Sequence, residues 1–126
     1  MSHPSDLDPL IHAPKRLAIM AILRGTNLVE FQYLKSELDV SDSDLSKQMT
    51  ALTTAGMVSA RKRREGQSRS TWYRMTAKGR LAFDRHVQSL EALIELSKQL
   101  DDPDPDPGAE TVDAKAAEAA EADLSR

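Results

Sequence analysis

S-D-S-D-L-S-K-Q-M-T-A-L-T-T-A-G-M-V (Ser41–Val58) is the stretch on which the fold turns. Ser41 suits a helix N-cap because its hydroxyl can accept a free backbone N–H, and Asp44, three residues on, completes a capping-box-like pair with Asp in place of the usual Glu. Leu45, Met49 and Leu52 then recur at helical spacing, so one face of a helix over about residues 42–55 is apolar. Gly56 stands where a helix ends in a left-handed residue. Directly beyond it the period changes from helical to two, with Val58 and Ala60 alternating with Ser59 and Arg61. A short capped helix therefore runs straight into a strand.

Working outward, Glu65-Gly66-Gln67-Ser68-Arg69 supplies turn chemistry, and Thr71, Tyr73 and Met75 alternate with Trp72 and Arg74. This predicts a β-hairpin over 58–75 with one buried face. Thr76 caps a last helix over about 77–100, which at 1.5 Å per residue is about 36 Å long. On the N-terminal side, Pro14 suits a first helical position, and Leu17 to Leu23 is a nearly unbroken apolar run that Gly25 closes. Leu28–Phe31 reads as a short strand or lead-in, Phe31, Leu34 and Leu38 mark a helix through Gln32–Leu38, and Asp39-Val40-Ser41 is a connector. The class is mainly α with a small β-hairpin, and the order of elements is that of a winged helix-turn-helix. The expected organisation is a flexible start over 1–8, one domain over 9–100, and a disordered acidic tail rich in Ala and Pro over 101–126.

The chain has 126 residues, no Cys and a formal charge of −3. Residues 1–100 carry 15 basic and 11 acidic side chains (+4), whereas 101–126 carry 2 and 9 (−7). Within the first part, Val58–Arg80 holds eight basic residues and one acid. The acidic total therefore conceals a basic hairpin. Without Cys there is no disulfide framework, thiolate zinc site or cysteine nucleophile. The polar start excludes a signal peptide, and no apolar run reaches membrane-spanning length, so a cytoplasmic protein with no membrane partner is expected.

The motifs L-S-K-Q-M-x-x-L-x-x-A-G-M-V (Leu45–Val58) and T-x-Y-x-M-T-x-x-G-R (Thr71–Arg80), together with I-H-A-P-K-R-L-A-I-M (Ile11–Met20), resemble winged-helix transcriptional regulators of the MarR/ArsR-like group. The match is best to its short winged-helix DNA-binding subfamily and covers about Asp8 to Ile94. The resemblance implies a dimeric regulator that binds double-stranded DNA.

The second helix of such a unit enters the major groove. With Leu45, Met49 and Leu52 inward, Ser43, Ser46, Lys47 and Thr50 fall on the outer face and Gln48 at its border. Lys47 suits a phosphate or guanine edge, Gln48 an adenine, and the hydroxyls are short adaptable groups. Asp42 and Asp44 oppose DNA by charge, and are read as stabilising the helix dipole. Arg61, Lys62, Arg63, Arg64 and Arg69 flank the hairpin turn, where they can neutralise phosphates; by family geometry Arg64 or Arg69 is the candidate for a minor groove. In the last helix Phe83, Val87, Leu90 and Ile94 alternate spacings of four and three, as in a coiled-coil seam. The distal part, with Val87, Leu90, Leu93, Ile94 and Leu96, is therefore read as a homodimer interface.

His3, His12 and His86 are far apart in sequence and form no metal cluster with Cys or carboxylates, so no metal or cofactor is expected. No catalytic motif is present, and an enzyme is not expected. Tyr33 and Met20 are candidates to line an effector cavity, with core packing the plainer reading, and Trp72 is read as a packing residue. Two other uses of the fold remain open: a protein-interaction winged helix whose basic wing grips an acidic partner, and a low-specificity architectural DNA-binding protein. The polar, small recognition face favours a DNA groove.

Overall fold

The computed structural model describes residues 6–100, so the expected tail over 101–126 and most of the expected flexible start lie outside the described residues. The described chain runs α1 (Pro9–His12), α2 (Pro14–Arg24), β1 (Val29–Glu30), α3 (Phe31–Leu38), α4 (Asp42–Thr54), β2 (Val58–Glu65), β3 (Ser68–Met75) and α5 (Ala77–Gln99). The mainly α class with a small antiparallel sheet agrees with the pattern of the sequence.

One element was not legible beforehand. Asp8 caps a single turn, α1, its carboxylate accepting the Leu10 amide at 3.0 Å. Pro14 forces Ala13 into an extended conformation (φ −58°, ψ 131°), which separates this turn from α2. Folded structure therefore already includes Asp8, which the sequence had placed in the flexible start.

The two termini of α4 are built as the pattern requires. The Ser41 hydroxyl accepts the Asp44 amide at 3.1 Å, and Gly56 follows the helix at φ +77°. The turn between α3 and α4 is tightened by Asp39 at φ 51°, a left-handed conformation that Asp tolerates better than most side chains. The reciprocal half of the capping box does not form: the Asp44 carboxylate turns to Lys15 and Gln48.

The hairpin pairs Val58 with Met75 through to Glu65 with Ser68, leaving only Gly66 and Gln67 in the turn. Gly66 has φ +61°, the backbone twist that right-handed hairpin strands need at a tight turn. The strands are thus longer, and the loop shorter, than turn-forming composition suggested. β1 adds a third strand, with Val29 opposite Tyr73 and Glu30 opposite Trp72, for a sheet order β1-β3-β2.

Ile11, Ile19, Met20, Leu23, Leu34, Leu45, Met49 and Leu52 meet in one core between the helices and the sheet. Each fully buried side chain of this kind contributes about 1.5–3 kcal/mol. Met20 is part of this core and Tyr33 is 52% exposed, so the two do not line a common interior cavity.

α5 leaves the sheet at a tight joint. The Met57 carbonyl accepts the Thr76 amide at 3.1 Å, and a Cβ on Gly79 would lie 2.0 Å from the same oxygen. The Thr76 hydroxyl donates to Gly56 O at 2.6 Å and accepts the Gly79 amide at 3.0 Å, tying the end of α4 to the start of α5. The proximal part of α5 buries Gly79, Phe83, His86 and Ser89. Farther along, Val87, Leu90 and Leu93 are half-buried, and Ile94, Leu96 and Leu100 are exposed at 54%, 48% and 74%.

Candidate nucleic-acid interface

Helix α4 turns Leu45, Met49 and Leu52 into the core, and the 3.6-residue period then presents Ser43, Ser46, Lys47 and Thr50 to solvent. All four are exposed, as expected. Gln48 differs. Its amide oxygen accepts from Arg16 Nη1 at 2.8 Å and its amide nitrogen donates to Asp44 at 3.0 Å, so the group expected at the border of the reading face is engaged inside the fold.

The two acids at the start of α4 are not left as bare negative charge. Lys15, from α2, pairs with Asp44, and Lys35, from α3, lies 3.0 Å from Asp42. The Lys15 ammonium and the Gln48 amide hold the Asp44 carboxyl below its ordinary range, against a weaker opposing effect of burial. At the other end of the helix, Lys78 Nζ donates to the Ala55 carbonyl at 2.9 Å, a cation on the negative end of the helix dipole. Lys15, Lys35 and Lys78 were not among the residues singled out in the sequence. They come from three other elements, and only the tertiary fold brings them to α4.

Strand alternation divides the wing charges into two sets. Lys62, Arg64 and Arg69 share a face with Ala60, Thr71 and Tyr73, because Ala60 opposes Tyr73, Lys62 opposes Thr71 and Arg64 opposes Arg69. Arg61 and Arg63 lie on the other face with Ser70, Trp72 and Arg74. The first face continues directly into α4: Ser46, Thr50 and Thr53 join Ala60, Lys62, Thr71 and Tyr73 around a groove of 190 Å³. Lys62, Arg63, Arg64 and Arg69 line a larger, open cleft of 380 Å³ toward the hairpin tip.

On the second face the Arg63 guanidinium sits 5.5 Å above the centre of the Trp72 ring, and the indole N–H donates to Ser70 Oγ at 3.0 Å. Trp72 is half-buried and packs within the hairpin. Arg74, a further cation on this face, donates to Ser59 Oγ at 3.3 Å. Alternation of the strand was the signal that could have singled it out. Arg61, Lys62, Arg63, Arg64 and Arg69 are all exposed, and none takes part in the ion pairs Lys15–Asp44, Arg24–Asp84 and Lys35–Asp42.

Among the described residues no group of three or more His, Cys, Asp or Glu side chains is arranged to hold a metal, and no helix is long and apolar enough to cross a membrane. His12 and His86 nonetheless meet, contrary to their separation in the sequence: His12 Nδ1 and His86 Nε2 are 3.1 Å apart.

Known proteins share this arrangement. Residues 15–94 match the family described as winged helix DNA-binding domain. An uncharacterized protein of Methanocaldococcus jannaschii is 31% identical over 86 residues, covering 68% of this chain and 90% of that protein. The structure of a transcriptional regulator homologue from Pyrococcus horikoshii superposes with a TM-score of 0.65 at 25% identity, over 70% of this chain and 87% of that one. The YusO protein of Bacillus subtilis has the same fold, with a TM-score of 0.61 at 12% identity, over 89% of this chain and 72% of that one. The capped helix, the wing and these likenesses agree: the chain belongs to the winged helix DNA-binding domain family.

Proposed function

We propose that the protein regulates transcription as a homodimer that reads a palindromic operator, with α4 in the major groove and the wing on the backbone or in the minor groove. The observation that carries this reading is the continuous polar and basic surface formed by Ser46 and Thr50 of α4 with Lys62 and Thr71 of the hairpin. Ser43, Lys47 and Thr50 are in reach of base edges, and Lys62, Arg64 and Arg69 neutralise phosphates or enter a minor groove beside them. Arg61, on the opposite face, meets phosphates only where DNA wraps the hairpin, and Arg63, on the same strand face, also borders the cleft of Lys62, Arg64 and Arg69. The internal engagement of Gln48 leaves the hydroxyls and Lys47 as the main readers.

Dimerisation is assigned to the distal part of α5. Ile94 and Leu96 are exposed and continue the half-buried Leu90 and Leu93 along α5, beyond Val87, which packs against the domain's own core. A two-fold dimer built there would space its recognition helices for half-sites 10–10.5 bp apart. Ile94→Glu is expected to give a monomer by sedimentation, with operator affinity falling and the fold retained.

The deciding experiment selects DNA from a random pool on the full chain and then measures fluorescence anisotropy against selected and scrambled duplexes at one salt concentration. Enrichment of a palindrome bound at least about 10³-fold more tightly supports the proposal. Equal affinity for both duplexes would make the protein architectural. Absence of DNA binding together with capture of an acidic protein would make it an interaction module.

A further inference from the structure

His86 is 1% exposed, and both nitrogens of its ring are used. The Asp8 backbone amide donates to Nδ1 at 3.0 Å. A backbone N–H can only donate, so Nδ1 carries no proton and a neutral ring must carry it on Nε2. Nε2 in turn lies 3.1 Å from His12 Nδ1, and with the His86 proton on Nε2 it is the donor. His12 Nδ1 therefore accepts, and the His12 proton sits on Nε2. The rings are tilted by 55° with centroids 5.1 Å apart, so they meet edge to edge through this bond and are not stacked. The two bonds join α1 to α5.

A second set of bonds leads from α1 to the recognition helix. Arg16 Nε donates to the Leu10 carbonyl of α1, while Nη1 of the same guanidinium donates to Gln48 of α4 at 2.8 Å. Gln48 continues to Asp44 at 3.0 Å.

We propose that His12 and His86 form a proton-operated latch between α1 and α5, closed when both rings are neutral and opened by acid, and that Arg16 transmits the state of α1 to α4. A proton added to His86 at Nδ1 turns an N–H against the Asp8 amide. A proton added to His12 at Nδ1 turns one against His86 Nε2–H. Either converts a bond into a donor–donor repulsion.

The surrounding groups set the sign. Burial holds the His86 imidazole below its ordinary value, with the neighbouring His12 acting in the same direction and the Asp8 carboxylate opposing them. Asp6 and Arg85 line the opening beside Ser89, and Arg24, the cation that α2 directs at α5, is engaged by Asp84. A neutral buried imidazole binds fewer protons than its unfolded counterpart, so the closed state is fully favoured above the ordinary histidine range, about pH 6.5, and loses stability as pH falls below it.

The link to α4 rests on the DNA-binding reading above; the latch itself does not. The test uses the full chain, with long-range ¹H–¹⁵N correlations of the imidazoles and hydrogen exchange of the Asp8 amide from pH 8 to 5.5. Neutral Nε2–H tautomers for both rings at pH 8, and at least a tenfold loss of Asp8 protection on acidification, support the latch. A proton on His86 Nδ1 at pH 8, or protection independent of pH, would overturn it. In parallel, anisotropy with selected DNA at fixed ionic strength is expected to show at least threefold weaker binding at pH 5.5, a dependence that Arg16→Gln flattens while Asp8 protection still titrates. Protection that titrates beside pH-independent DNA affinity overturns the Arg16 link alone. Protection that titrates with no DNA bound at any pH overturns the DNA-binding reading and leaves the latch standing.

Discussion

Helix α4 and the β2–β3 wing both present polar surface to solvent, but they are held in different ways. The charged and amide groups around the start of α4 are engaged: Asp42 by Lys35, Asp44 by Lys15, and Gln48 by Arg16. Its core face is fixed by Leu45, Met49 and Leu52, and Lys78 closes its far end. The wing is held by its ladder and by the Arg63–Trp72 contact, and beyond Val58 every residue of β2 is exposed or half-exposed. On the proposed DNA-binding reading, a surface that presents hydroxyls to base edges needs a fixed register. A surface that meets phosphates needs charge within reach, and a hairpin tip satisfies that without a rigid mount.

The sharpest way to break this arrangement is at the joint that α4, the wing and α5 share. Gly79→Ala forces a Cβ against the Met57 carbonyl, a backbone atom that cannot swing aside. The expected loss is about 3 kcal/mol or more, read as a fall in the thermal midpoint of at least about 12 °C. Wing and recognition helix would then fail together.

The next test separates the two regions. Lys62, Arg64 and Arg69 changed together to Ala should lower DNA affinity about a hundredfold at moderate salt and flatten the log-affinity against log-salt slope by about 2.7, near 0.9 for each lost phosphate contact. Chemical denaturation should show stability within about 0.5 kcal/mol of the original, because these side chains take part in none of the ion pairs among the described residues. Arg61 and Arg63 changed together should weaken binding distinctly less. Equal losses from the two sets would show that DNA wraps both faces of the hairpin.

Thr76→Ala removes the hydroxyl that caps α5 and reaches Gly56, and should cost about 1–2 kcal/mol in urea titration. The smallest effect concerns the start of α4. The carboxyl of Asp44 is depressed, so the stabilisation it adds is present above its unfolded value, near pH 3.9, and fades as pH falls through the lower folded value. Asp44→Asn should remove that part of the acid dependence of thermal unfolding and leave unfolding near neutral pH only slightly changed, since the pair faces solvent.

Much of this was legible in the linear pattern. Leu45, Met49 and Leu52 determined which side of α4 faces water, and hence that Ser43, Ser46, Lys47 and Thr50 are exposed. The basic run beside Gly66 located the wing. Gln48 was not legible, because its commitment depends on Arg16, 32 residues away, in another helix. The division of the five wing cations into two faces depends on strand register, which settled only once the turn had shrunk to Gly66 and Gln67. The one-turn helix α1 was hidden because four residues are too few for a period to emerge.

The sequence by itself determined the elements, their order and the face that each buries, because caps, turn residues and apolar spacing act within a few residues of one another. It also determined that basic charge collects at the hairpin in a chain of net charge −3. Only the tertiary structure decided which charges are paired, which side of the wing adjoins α4, and that two histidines 74 residues apart share a proton bond. Those outcomes depend on distances between elements, and no local propensity encodes such distances.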